Sequence, residues 1–306
     1  MPMHSDLKYV LIALYLAAVL FVHLRGRVRH PFFRKQLLDH SSFFAAYNVL
    51  AYLFSVVPLK PYIDRERFPQ LAPLRENWRS LREEVLALVD QGHVGGAARH
   101  EDGGFDSFLR KGWKRFHLKW YGRPLPSARA LCPRTVELLN SMPSVKAAMF
   151  ALLPPGGRLN PHRDPFAGSL RYHLGLVTPN SDQCRIIVDG EPYSWRDGED
   201  VVFDETYIHE AENATDQMRI ILFCDVDRPL RTALMRGFNR WFGLILGRAT
   251  SVRNVAGEPL GFFNRIFFLA HHAGQMRKAV KRFNKPLYHT LKLMLAAVAI
   301  YLLFKW

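Results

Sequence analysis

Hydrophobic positions along the chain form long uncharged stretches toward the ends and short broken runs in the middle. Residues 9–22, YVLIALYLAAVLFV, carry no charge, and His23 and Leu24 extend the stretch. It falls slightly short of the ~20 apolar residues that span a bilayer. Residues 287–304, LYHTLKLMLAAVAIYLLF, are apolar apart from Tyr288, His289, Thr290 and Lys292. NWRSLREEVLALVDQG sets Trp78, Leu81, Val85, Leu86 and Leu88 at helical spacing and reaches Gly92, which predicts a helix and its stop. PRTVELLNSM (133–142) predicts a short helix before Pro143. From Val145 the pattern changes to VKAAMFALL, RYHLGLV (171–177), CRIIVDG, EPYSW, EDVVF and QMRIILFCDV (217–226), divided by Gly, Pro, Asn and Asp. Such spacing predicts a mainly β core, a barrel or a double-sheet jelly roll, with flanking helices.

These patterns divide the chain. Residues 1–30 are expected to be an N-terminal transmembrane anchor, 31–130 a helical and loop region packing on the core, and 131–230 the β catalytic domain. Residues 93–130, rich in glycine and aromatics, are expected to form loops and short strands closing over a site. Residues 231–285 are expected to hold basic amphipathic helices, and 286–306 a C-terminal membrane anchor. LRTALMRGFNRWFGLILGR and PLGFFNRIFFLAHH either lie in a membrane interface or pack on the domain. Buried core helices are the alternative to the two anchors.

Charge narrows the partner. The 306 residues carry 42 Lys+Arg against 27 Asp+Glu, a net charge of +15. The basic residues gather beside the apolar stretches, at Arg25, Arg27, Arg29, Arg34 and Lys35, and at Arg277, Lys278, Lys281, Arg282 and Lys285. That placement favours an acidic membrane surface over nucleic acid, and the chain has neither an RNA-reading aromatic motif nor a helix-turn-helix. The first basic cluster follows its apolar run and no A-x-A site is present, which argues against a signal peptide. The positive-inside rule puts the middle of the chain on the cytoplasmic side. Cys132, Cys184 and Cys224 are widely spaced with no C-x-x-C, against a disulfide framework or a cysteine zinc site. A reducing compartment is the expected setting.

The candidate chemistry lies in NPHRDPFAGSLRYHLG (160–175) and FDETYIHE. His162 and Asp164 are expected in a loop before one strand, and His209 in a loop before another. Two histidines and a carboxylate on one face form the facial triad of non-haem iron(II) oxygenases, although the ligand types alone also suit zinc. Strand alternation puts Arg171, His173 and Gly175 on one face, opposite Tyr172, Leu174 and Leu176. Arg219 shares a face with Ile221 and Phe223. An arginine inside an apolar strand is costly unless it meets an anion, and a guanidinium matches a carboxylate bidentately. 2-Oxoglutarate offers one carboxylate to the iron and one to such an arginine. His93, His100 and His117 lack partner spacing and read as surface or core residues.

PHRDPF, RYHLGL, FDETYIHEAEN and QMRIILFCDVDRP resemble the aspartyl/asparaginyl β-hydroxylase family of Fe(II)/2-oxoglutarate dioxygenases over about residues 120–230. The anchored ends look most like its lipid-acting bacterial branch. The resemblance implies a double-stranded β-helix core. It also implies hydroxylation of a lipid A acyl chain at carbon 2, on the cytoplasmic side of a bacterial inner membrane. His162 and His209 match the family's metal histidines, and Asp164 the carboxylate of the common triad. Protein-acting members have glycine at that position. Arg171, His173 and Arg219 match the co-substrate residues. Fe(II), 2-oxoglutarate and O2 are the implied cofactors, with ascorbate as an optional helper. A protein aspartyl or asparaginyl side chain is the alternative substrate. A non-catalytic, membrane-tethered β-barrel that binds an anion is the alternative class.

Overall fold

The computed structural model describes residues 3–95, 106–109, 112–255 and 257–266, with isolated positions beyond. The expected C-terminal anchor (286–306), most of the basic cluster before it, and His100 fall outside the described residues.

Two antiparallel sheets form the core. Their strands are β1 (Tyr62–Ile63), β2 (Lys114–Trp120), β3 (Val145–Leu153), β4 (Arg158–His162), β5 (Ser169–Val177), β6 (Cys184–Val188), β7 (Glu191–Ser194), β8 (Asp200–Phe203), β9 (His209–Asn213) and β10 (Arg219–Asp227). The larger sheet runs β1-β8-β5-β10-β3-β2 and the smaller β4-β9-β6-β7. From β3 to β10 the chain alternates between the sheets, apart from the β6–β7 hairpin, in a jelly-roll-like order. Two strands of the larger sheet, β1 and β2, come from residues before 131.

The helices are α1 (Met3–Leu24), α2 (Phe33–Leu37), α3 (Ala45–Leu53), α4 (Ala72–Glu76), α5 (Trp78–Asp90), α6 (Asp106–Leu109), α7 (Pro126–Leu131), α8 (Pro133–Asn140) and α9 (Ala233–Ala249). The outer face of the larger sheet (Phe150, Leu152, Tyr172, Leu174, Leu176, Ile220, Leu222) packs against Leu81, Val85 and Leu88 of α5 and Val136 and Leu139 of α8. Its inner face (Met149, Ala151, Leu153, Phe203, Ile221) meets Ile186, Val188, Trp195 and Ala211 from the smaller sheet side. Both faces of the larger sheet are therefore dry, and its strands read as nearly continuous apolar runs. The smaller sheet has one wet face, so β6 and β9 alternate between buried and half-buried positions.

Polar groups join the helices to this frame. Glu84 on the buried face of α5 accepts from the Arg134 and Thr135 backbone N–H groups at 2.9 Å each, satisfying the start of α8. The segment after α1 is pinned to the β6–β7 turn, where Asp189 Oδ1 accepts from the N–H groups of Arg27 and Val28 at 2.7 and 2.8 Å. Asp189 and Gly190 both have positive φ, as a two-residue hairpin turn requires.

Residues Leu7–Leu24 of α1 are long and apolar enough to cross a membrane, with a mean hydropathy of 2.1. Near its end, Ala18, Val19 and Val22 pack against Ala45 and Val49 of α3. Arg25, expected at a membrane interface, instead turns inward. It pairs with Asp204 at 2.5 Å and lies over the rings of Tyr52 and Tyr207. A buried carboxylate and two aromatic faces hold a guanidinium better than a lipid surface at that spot. Arg163, also buried, donates to the Val22 carbonyl at 2.7 Å, capping the C-terminal end of α1 with a cation. α9 packs on the domain by one side. Phe242 packs on Tyr47 and Phe166, while Leu234, Trp241 and Ile245 face outward.

Candidate active site

Strand register builds the centre of the site. β4 and β9 pair so that His162 stands directly opposite His209. Both histidines were expected in loops. The structure puts them at adjoining strand ends instead, because His162 closes β4 and His209 opens β9. Their rings lie 4.2 Å apart between centroids. Asp164 follows β4, with its N–H held by the Glu205 carbonyl at 2.9 Å. Its Oδ1 is 3.9 Å from His162 Nε2. One ligand atom from each of the three residues lies within 4.8 Å of the others.

Tautomers are set by the backbone. His162 Nδ1 contacts the Asn160 carbonyl at 2.7 Å, and His209 Nδ1 the Tyr207 carbonyl at 3.0 Å. A carbonyl only accepts, so each Nδ1 carries a proton and Nε2 is the nitrogen left for a metal. Burial, followed by the neighbouring His162, pushes the His209 pKa down to about 3. Burial works against the Asp164 carboxylate, yet Arg171, His209 and His162 together hold it below its ordinary range. His209 is therefore a neutral imidazole beside an ionised Asp164, the protonation states a metal needs of these two groups.

Beside it sits a cluster the sequence only partly disclosed. Arg171 donates to Asp164 Oδ2 at 2.5 Å, pairs with Glu205, and lies 3.2 Å from Asp225 Oδ1 and over the Phe223 ring. Ser169 donates to Glu205 at 2.7 Å and Tyr121 to Asp225 at 3.0 Å. Three carboxylates around one guanidinium repel each other. Burial and that repulsion raise Glu205 to about 8 and shift Asp225 upward. Arg171 is thus occupied by side chains, and its grip on Asp164 Oδ2 leaves Oδ1 toward His162.

Arg219 is placed differently. It lines the same narrow cavity as the triad, with Trp113, Trp195, Phe203 and Phe223. Its guanidinium stacks on Trp195, 4.4 Å from the ring centroid, and is almost fully buried. Nε and Nη2 have no hydrogen-bond partner among the described residues. Burial lowers its pKa to about 10. His173 stands between the rings of Trp195, Phe203 and Phe223, kept neutral by burial and then by Arg171 and Arg219.

All six expected site residues, His162, Asp164, Arg171, His173, His209 and Arg219, line this one cavity. The alternation assigned to β5 and β10 holds, with Tyr172, Leu174, Ile220 and Leu222 on the opposite, helix-covered face. Glu205, Asp225 and Trp195 were missed. Asp225 continues the face of Arg219, Ile221 and Phe223, so extending the period by one step finds it. Glu205 and Trp195 lie outside the strands and leave no periodic trace. His117 is buried and His93 exposed, and neither is among the residues lining the triad cavity.

A family model described as aspartyl/asparaginyl beta-hydroxylase matches residues 75–229, just over half the chain. An ornithine lipid ester-linked acyl 2-hydroxylase from Rhizobium tropici is 33% identical over 177 residues, covering 56% of this chain and 62% of that protein. The Homo sapiens aspartyl/asparaginyl beta-hydroxylase is 31% identical over 169 residues, covering 53% of this chain and 22% of that protein. The match thus spans less than two thirds of either relative. Among solved structures, a Pseudomonas putida prolyl-4-hydroxylase aligns with a TM-score of 0.36 and 18% identity, covering 50% of this chain and 87% of that one.

Proposed function

The chain belongs to the aspartyl/asparaginyl beta-hydroxylase family, and from that premise we propose that it is an Fe(II)- and 2-oxoglutarate-dependent dioxygenase that hydroxylates an acyl chain of a membrane lipid at carbon 2. The observation that carries this reading is a His-Asp-His set sharing one cavity with a buried guanidinium whose Nε and Nη2 have no hydrogen-bond partner among the described residues. A nitrogen and oxygen donor set with one open side suits Fe(II). A lone buried guanidinium suits the far carboxylate of a dicarboxylate co-substrate.

His162 and His209, through Nε2, and Asp164, through Oδ1, would hold the metal. Bound Fe(II), with 2-oxoglutarate and O2, supplies the oxidising power that turns an inert C–H bond into C–OH. The rest falls to the chain. Arg219 binds and orients the co-substrate by its distal carboxylate. Arg171 holds Asp164 in place through Oδ2. Trp113, Trp195, Phe203 and Phe223 exclude water, and neutral His173 adds no charge to the cavity.

Support for a lipid substrate comes from the apolar helix α1, the outward apolar residues of α9, the net charge of +15 and the acyl 2-hydroxylase relative. Lipid A at a bacterial inner membrane, reached from the cytoplasmic side, is the substrate we favour, and an ornithine-type aminolipid is the second candidate. A protein aspartyl or asparaginyl side chain is the other reading, motivated by the human relative. Mass spectrometry of lipid fractions from cells expressing the wild type or His209→Ala separates these readings. One added oxygen at C-2 of an acyl chain, with wild type alone, is expected. Unmodified lipids together with an oxidised aspartyl or asparaginyl peptide would replace this reading with the second.

A further inference from the structure

A second cavity, of about 270 Å³, lies under α9. Tyr121 and Ser169 in its wall contact the carboxylates of the Arg171 cluster, so the two cavities are neighbours but distinct. Three cationic side chains, Lys119, Lys146 and Arg240, line it against a single carboxylate, Asp227. That carboxylate is taken by Lys146 at 2.8 Å. Lys119, on β2, is buried and donates to the Leu139 carbonyl at 3.2 Å. An ammonium has three protons to place, and this bond accounts for one. Arg240, exposed on α9, also lines the cavity. Lys119 from β2 and Arg240 from α9 thus line one space, with no second carboxylate lining it among the described residues. A tetrahedral anion offers acceptors in both directions, which a planar carboxylate does less well.

The rim is also apolar. Leu244 belongs to the cavity wall, and beside it Phe238, Trp241 and Ile245 are exposed on α9. We propose that this cavity binds the phosphate-bearing headgroup of a membrane amphiphile, whose chains lie along the exposed apolar residues of α9. Lys119 and Arg240 clamp the phosphate, and Trp241 marks the level of the interface. The inference does not depend on the hydroxylation reaction, because none of these residues lines the triad cavity.

Calorimetric titration of the full chain in a neutral maltoside detergent with dihexanoyl phosphatidylglycerol tests it. Saturable binding is expected for the wild type and equally for His162→Ala, which separates this site from the iron site. Arg240→Gln, at an exposed position, should weaken binding about tenfold, the loss of one charge-assisted contact. Gly243→Leu fills the cavity from a position whose added Cβ meets the Tyr121 ring at an ordinary 3.6 Å, and should abolish binding. Affinity unchanged in both variants would overturn the site. Inorganic phosphate binding as tightly as the lipid would overturn the amphiphile.

Discussion

At the scale of single residues, Arg219 carries the most information. A guanidinium buried without a carboxylate destabilises a fold, and a ligand that supplies the anion reverses the deficit. Arg219→Met should therefore keep or raise the melting temperature, while KM for 2-oxoglutarate rises about tenfold to a hundredfold. A variant that unfolds more readily and keeps its KM would make Arg219 a structural residue. Arg171 is its contrast, because three carboxylates already surround it. The sequence disclosed both arginines by the same sign, a charge inside an apolar alternation. It could not tell the ligand-ready one from the occupied one, since Glu205 sits in a loop with no period.

Among the elements, β4 and β9, which bring the two metal-ligand histidines, read as loops and β1 lay in a stretch read as helix and loop, while β3, β5, β6, β7, β8 and β10 were legible. β3, β5, β8 and β10 belong to a sheet covered on both faces, so their runs are apolar throughout. β4 (RLNPH) and β9 (HEAEN) belong to the sheet with a wet face, and their short polar runs read as loops. The attachment of α1 was equally hidden, because nothing along the chain pairs Arg25 with a residue 179 positions away. Asp204 receives Arg25 and Arg228, at 2.5 and 2.8 Å, with neither its own side chain nor that of Arg228 exposed. Burial opposes its charge, but Arg228 and Arg25 outweigh that and hold its pKa far below the usual carboxylate range. A depressed carboxylate stabilises the fold fully above its unfolded pKa, about 3.9. The contribution is lost as pH falls through the folded value. Asp204→Asn should thus cost about 3 kcal/mol near neutral pH, by leaving two buried cations unpaired. In denaturant titrations the gap to wild type should hold down to about pH 4 and shrink below it. A gap independent of pH would remove Asp204 from the attachment of α1.

For the whole molecule, the apolar run that ends α1 leads directly into the active-site frame. Arg25 binds the β8–β9 connection, and Arg163, between two metal-ligand candidates, caps the helix. For the proposed lipid reaction, such a joint would fix the height of the site relative to the bilayer. The apolar run and the basic balance were plain in the sequence, whereas the joint depends on contacts across the fold. The proposed reaction requires that His162, Asp164 and His209 hold iron. Anaerobic titration of the purified full chain with Fe(II) and 2-oxoglutarate, followed by the visible charge-transfer band of the chelate, reads that directly. A band saturating at one iron per chain is expected for the wild type, and none for a folded His209→Ala protein. A folded wild type that develops no band, or a His209→Ala protein that keeps it, would rule out iron held by this triad.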